Sequence, residues 1–214
     1  MDSTPFFLGT ALGALHVLSG PDHLAAIAPL ASITPKANIF TPQANIGGAR
    51  AWRIGLRWGL GHSGGVLLVA LAALFLRDVL PIDALSSASE RLVGLVLIGL
   101  GAWGFYRLMG TGVEARPAAH AHAAFAVGTL HGLAGSSHLL GVLPAVAQST
   151  RVAALVYLGG FALGTIAAMA AFASGVGWVA QRADSSRVPF QRKLCGATSA
   201  LAIGVGVYWL SSTK

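Results

Sequence analysis

Six apolar stretches, near residues 5–31, 52–76, 91–108, 123–147, 152–180 and 194–211, occupy most of this 214-residue chain. A helix needs about 20 residues to cross a hydrocarbon core about 30 Å thick, and each stretch is long enough to do so. Hydrophobic residues make up 55% of the chain and charged ones only 10%, a balance that belongs to membrane proteins. The expected fold is therefore an all-α integral membrane protein with six transmembrane helices, forming one domain over residues 1–214. The longest connector, about 32–51, is rich in Pro, Asn and Gly without apolar periodicity, so no soluble domain is expected.

The formal charge of +7 would suggest nucleic acid in a soluble protein, but its distribution says otherwise. Lys36, Arg50, Arg53, Arg57, Arg107, Arg116, Arg182, Arg187, Arg192 and Lys193 flank the connectors after spans one, three and five. The opposite side holds only Arg77, Arg91, Arg151 and Lys214. Positive residues stay on the cytoplasmic side, so both termini are expected outside and no nucleic-acid partner is expected. The opening "MDSTPFFLGTALGALH" has no basic leader region and no cleavage site. Without a transit segment, the expected location is a bacterial inner membrane. Cys195, the single cysteine, excludes an intramolecular disulfide.

The chain also repeats itself. "HVLSGPDHLAAIAP" from His16 and "HGLAGSSHLLGVLP" from His131 share one plan: His, three residues, Gly, two residues, His-Leu, four residues, Pro. Leu60-Gly61-His62-Ser63 aligns more weakly with Leu163-Gly164-Thr165-Ile166, and the stretch from Arg91 to Tyr106 with that from Lys193 to Tyr208. The repeats cover about 5–108 and 123–211, joined by a loop at about 109–122. Three spans per repeat force the copies into opposite orientations, the inverted-repeat plan of many secondary transporters.

In "SGPDH", Gly20 suits the left-handed residue that closes a helix, Pro21 the first position of a new one, and Asp22 its first turn. Gly135-Ser136-Ser137 offers a similar break in span four, with a serine as cap. Broken helices one and four imply a cavity, because bare backbone at membrane depth must be buried in protein or line a polar space.

Polar side chains gather at these breaks. On an unbroken helix His16 and His23 share a face but stand about 10.5 Å apart along the axis. Ligand nitrogens sit roughly 2.0–2.1 Å from a shared ion, so either the helix breaks between the two histidines or they serve two sites. Asp22 is the only acid well inside an expected span and needs a cationic or functional partner. His62, in "GLGHSGG", and the repeat-related His131 and His138 complete the candidate metal ligands His16, Asp22, His23, His62, His131 and His138. Ser19, Ser63, Ser136 and Ser137 are candidate lining residues. Imidazole with carboxylate suits zinc, nickel, cobalt or copper better than calcium or magnesium. His120 and His122 read as plain loop residues, and Arg53 and Arg57 as topology anchors.

With "HVLSGPDHLAAIAPL", "WGLGHSGG" and "HGLAGSSHLLGVLPA" in view, the chain resembles the nickel/cobalt transporter family, and within it the short six-helix UreH-like branch of high-affinity nickel-transport proteins. The resemblance implies passage of Ni²⁺ or Co²⁺ across a membrane, with His16, Asp22 and His23 handling the metal and His62 matching the family's histidine in span two. The family's usual signature has four residues between its first histidine and the Asp-His pair. This chain has five, Val17 to Pro21, and lacks a second aspartate often found there.

The expected function is a permease for a divalent transition metal, Ni²⁺ before Co²⁺, with no resident cofactor. Its expected partners are the ion and the lipid bilayer, with a homo-oligomer or an accessory metal-handling protein as further candidates. No Gly-x4-Gly-Lys-Ser/Thr loop is present, which argues against ATP hydrolysis by this chain. The same residues would also serve a zinc-dependent intramembrane hydrolase, although no HExxH motif is present and an inverted repeat fits alternating access better. A haem-bearing electron carrier with histidine axial ligands is a third class.

Overall fold

A computed structural model of the chain describes residues 3–20, 22–23, 25–27, 46–76, 82–109, 117–133, 138–184 and 188–212. Among these residues the protein is all-helical, without strands. Helix α1 spans Thr4–Ser19, α2 Ile46–Leu76, α3 Ile82–Leu108 and α4 Pro117–Leu133. A π-helical turn, His138–Val142, runs into the short α5, Leu143–Val146, followed by α6, Arg151–Asp184, and α7, Val188–Ser212.

Among the described residues three stretches are long and apolar enough to cross a membrane: Ala51–Phe75 in α2, Arg151–Val179 in α6 and Cys195–Ser212 in α7. The other three expected spans do not reach that standard as single helices among the described residues. Helix α1 stops after 16 residues and α4 has 17, and the described residues of α3 do not supply a span of that standard. Helix α4 begins at Pro117, a residue suited to a first turn, so the expected loop is shorter and His120 and His122 are helical. Similarly, α2 starts at Ile46, inside the expected connector.

Glycines set how the helices meet. A Cβ on Gly9 would overlap the backbone of Tyr157 and Phe161, and one on Gly13 the backbone of Phe161 and Thr165. Both numbers rise together, so α1 and α6 run parallel. Helices α2 and α4 repeat the arrangement, with Gly61 against Phe125 and Thr129 and Gly128 against Trp58 and His62. Against each other, α2 and α6 are antiparallel: Gly55 meets Met169, Gly59 meets Ile166, and Ser63 donates to the Ala162 carbonyl (3.4 Å). Helices α1 and α4 consequently point in opposite directions. The remaining pair, α3 and α7, is antiparallel through Gly94 beside Gly206 and Gly101 beside Ser199. Missing side chains at these crossings let backbones approach closely, which is how helices associate where no hydrophobic drive separates them from lipid.

Apolar residues lie on both surfaces of this bundle. Trp58, Val93, Leu97, Val127 and Met169 fill one buried cluster, and Val66, Val69, Tyr157, Leu158 and Phe161 another. Phe7, Leu18, Leu68 and Val207 are more than half exposed, so the exterior is oily as well. A helix that is apolar all round belongs in a core or a membrane.

Neighbouring glycines give a direct test. Gly160→Ala would drive a methyl group into the backbone of Phe6 and should cost about 1–3 kcal/mol of stability, whereas Gly159, with open space around it, should accept alanine at no loss. Thermal unfolding of the two purified variants in detergent checks this, and equal midpoints would refute the close α1–α6 crossing.

Candidate metal centre

Helix α1 ends where the sequence says it should, but by another geometry. Gly20 is extended (φ −89°, ψ 102°) rather than left-handed. The cause is Pro21, whose ring pushes the preceding residue out of the helical region toward extended backbone. Glycine is needed there for space instead. A Cβ on Gly20 would overlap His23 Nδ1 and lie 2.8 Å from Asp22 Oδ1. The Gly20 N–H still donates to the His16 carbonyl (3.1 Å), as does the Ser19 hydroxyl (3.3 Å), and helical backbone resumes at Asp22.

This break removes the separation that a straight helix would impose. The rings of His16 and His23 are 4.5 Å apart, centre to centre. His62 joins them from α2, at 5.3 Å from His16 and 5.0 Å from His23. The Nε2 atoms of His16 and His62 face each other at 3.3 Å. Two nitrogens that share an ion at roughly 2.0–2.1 Å stand no more than about 4 Å apart, so this pair is already within reach of one cation. One nitrogen from each of His16, His23 and His62 lies within 4.8 Å of the other two.

Asp22 connects this group to α4. His23 Nδ1 donates to Asp22 Oδ1 (2.9 Å), and His131 Nε2 donates to Asp22 Oδ2 (3.0 Å). All five side chains are buried, none more than 4% exposed as a residue. Asp22, His23 and His131 form a second group with metal-ligand spacing. His23 Nε2 and His62 Nδ1 are buried without a hydrogen-bond partner among the described residues, which costs about 1–3 kcal/mol for each polar atom unless something satisfies it. Lone pairs left over on buried imidazoles are the donors that a transition-metal cation uses.

Around the cluster lies an aromatic wall that the sequence reading passes over. Trp58 stacks on His62 with centroids 4.9 Å apart and 10° between planes, and it contacts His23 and His131 edge-on or tilted. Phe161 covers His16 from α6. The signal was available: Trp58 precedes His62 by four residues, one helical turn on the same face. A cavity of about 760 Å³ reaches the cluster at His16, Asp22 and His23 and is walled on its far side by Gly204, Val205 and Trp209 of α7.

The other expected residues divide. Ser19 lines this cavity, whereas Ser63 is spent on the α6 backbone. His138 starts the π-helical turn, but its side chain lies outside the described residues, as do Ser136 and Ser137. The turn itself has a chemical cause in Pro144, which has no N–H to give the Leu140 carbonyl four residues earlier. The Tyr157 hydroxyl of α6 donates to that carbonyl instead.

With this geometry established, comparison with known proteins adds two relatives. The chain is 32% identical over 224 residues to chloroplast protein FOR GROWTH AND FERTILITY 1 of Arabidopsis thaliana, and 33% identical over 220 residues to chloroplast protein FOR GROWTH AND FERTILITY 2 of the same plant. Both are chloroplast proteins. Each alignment covers 95% of this chain, which spans 58% and 55% of the respective relatives, little more than half their length. No family model and no solved structure matches the chain. The expected bacterial inner membrane, with both termini on its outer face, is overturned by these chloroplast relatives. The argument from a missing transit segment fails because a chain that spans part of its relatives says nothing, by where it starts, about a leader.

Tyr157→Phe keeps the ring and removes the donor, leaving the Leu140 carbonyl bare. The variant is expected to lose about 1–3 kcal/mol in chemical or thermal unfolding, and an unchanged midpoint would show that the carbonyl has another partner.

Proposed function

We propose that this protein is a membrane permease for a divalent transition-metal cation, with His16, His23 and His62 as the holding site. The observation that carries the reading is the buried cluster itself: three imidazoles brought together by a helix break, with His23 Nε2 and His62 Nδ1 lacking a hydrogen-bond partner among the described residues. Nitrogen donors of this kind favour first-row transition metals over calcium or magnesium. The cavity lined by His16, Asp22 and His23 supports the reading, because it lies beside the cluster where a cation would approach.

In this proposal α1, α2, α3, α4, α6 and α7 cross the bilayer as two inverted three-helix repeats. Support comes from the reciprocal crossings: the α1–α6 contacts of Gly13 with Phe161 and Thr165 have their counterpart in the α2–α4 contacts of Gly128 with Trp58 and His62, while α1 and α4 point oppositely. Such an arrangement rocks one half against the other around a central site. Nickel, then cobalt, remains the proposed cargo on the strength of the three sequence motifs, although the names of the two curated relatives mention no metal. We place the permease in a chloroplast membrane by extension from those relatives.

Proteoliposomes containing the full chain and a metal-quenched dye test transport directly. Wild type is expected to admit Ni²⁺ and Co²⁺ well above empty vesicles, and His16→Ala should fall to the empty-vesicle rate. Equal influx in wild-type and empty vesicles, with insertion verified, would reject the permease and return weight to a hydrolase.

A further inference from the structure

The sequence places Asp22 and His131 among the candidate metal ligands, and in the structure the two are hydrogen-bonded to each other. Resting on the permease reading above, we propose that Asp22 and His131 are positioning residues that orient His23, and that one cation per chain binds to His16, His23 and His62 alone.

Both carboxylate oxygens of Asp22 are already engaged. Oδ1 accepts from His23 Nδ1 at 2.9 Å and Oδ2 from His131 Nε2 at 3.0 Å. These lengths are those of N–H donors on a carboxylate. A proton on Nδ1 leaves the lone pair of His23 on Nε2, which is buried and has no hydrogen-bond partner among the described residues. The bond made by one imidazole nitrogen thus sets which nitrogen is left for the ion, as outer carboxylates do for metal-binding histidines generally. His131, by the same bond, presents its proton-bearing nitrogen to the cluster, and that nitrogen has no lone pair to offer a cation.

A second ion held by Asp22, His23 and His131 is the competing arrangement. It would have to share the His23 ring with the first ion, stripping the ring of both protons. Two dications would then stand on either side of one imidazole, with Asp22 as the one carboxylate of the two groups to offset them. Their mutual repulsion in a site this buried weighs against it. Helix α4 therefore reaches the ion only through Asp22, and the Gly128 and Gly132 crossings with α2 hold His131 at the right depth to do so.

Cobalt bound to the purified full chain in nanodiscs distinguishes the arrangements, because its visible bands report the ligand set and its content can be counted by mass spectrometry. Wild type is expected to bind one Co²⁺ per chain, and His16→Ala to lose the bands. Asp22→Asn and His131→Ala should keep the stoichiometry and band positions while raising Kd by about 10–100-fold, and His131→Gln, which can still donate an N–H to Asp22, should recover most of that loss. Two ions per chain, or bands altered by Asp22→Asn or His131→Gln, would overturn the positioning role. If His131→Ala fails to fold, the His131→Gln comparison still decides. Failure of the wild type to bind any cobalt would instead sink the permease reading on which this rests.

Discussion

A buried carboxylate gripped by two imidazoles is the interaction on which the centre of this protein depends. Asp22 is buried, and an unpartnered acid at that depth would be costly. Its two oxygens are satisfied from opposite halves of the chain, by His23 one residue away and by His131 more than a hundred residues on. The same pair of bonds therefore offsets the desolvation of the acid and joins the halves where they meet. Well-packed apolar residues in place of such a buried trio are often as stable or more so. Its presence is better explained by what it does to His23 than by stability.

The helix break makes that grip available. A straight continuation of α1 would have carried His23 two turns beyond His16, out of reach of any shared ion. Gly20 and Pro21 act together, the proline by holding its neighbour extended and the glycine by leaving room for the side chains that fold back over it. In the second half Pro144 disturbs the helix by a related route, freeing the Leu140 carbonyl, but there Tyr157 closes the gap. The break after α1 opens a site, whereas the π-helical turn before Pro144 is held from a neighbouring helix.

Much of this was legible in the sequence, and the reasons for the exceptions are physical. Apolar length and the paucity of charge gave an all-helical chain, and the His-x3-Gly-x2-His plan pointed to the break and to His16, Asp22, His23, His62 and His131 as residues that meet. The conformation of Gly20 was misjudged because glycine at a helix end usually signals a left-handed residue, and here the following proline rules. Among the described residues only three of the six expected spans are long and apolar enough as single helices, and two of the others, α1 and α4, stop short because a hydropathy window runs on past a helix end. Trp58 was missed because a tryptophan in an apolar helix looks like core until its stacking on His62 is seen. That both oxygens of Asp22 accept from imidazoles could not be read from spacing, because spacing does not say which atoms face each other.

The two halves share a scaffold but not a chemistry. Gly128 lies against Trp58 and His62 as Gly13 lies against Phe161 and Thr165, so His62 and Thr165 occupy matching places at matching crossings. His62 turns its ring into the cluster, whereas Thr165 spends its hydroxyl on the Gly13 carbonyl (3.4 Å) and helps to hold the crossing together. Likewise Asp22 of the first half has Ser137 as its counterpart in the repeat. A site built equally from both halves would have to change its whole ligand set whenever one half moved against the other. His16, His23 and His62 are confined to α1, its continuation and α2, and the second half meets them through Phe161, which lies against His16, and through the hydrogen bond from His131 to Asp22. That hydrogen bond ties the position of α4 to the orientation of His23, and under the proposed permease function such a link is what loosens one ligand without dismantling the rest.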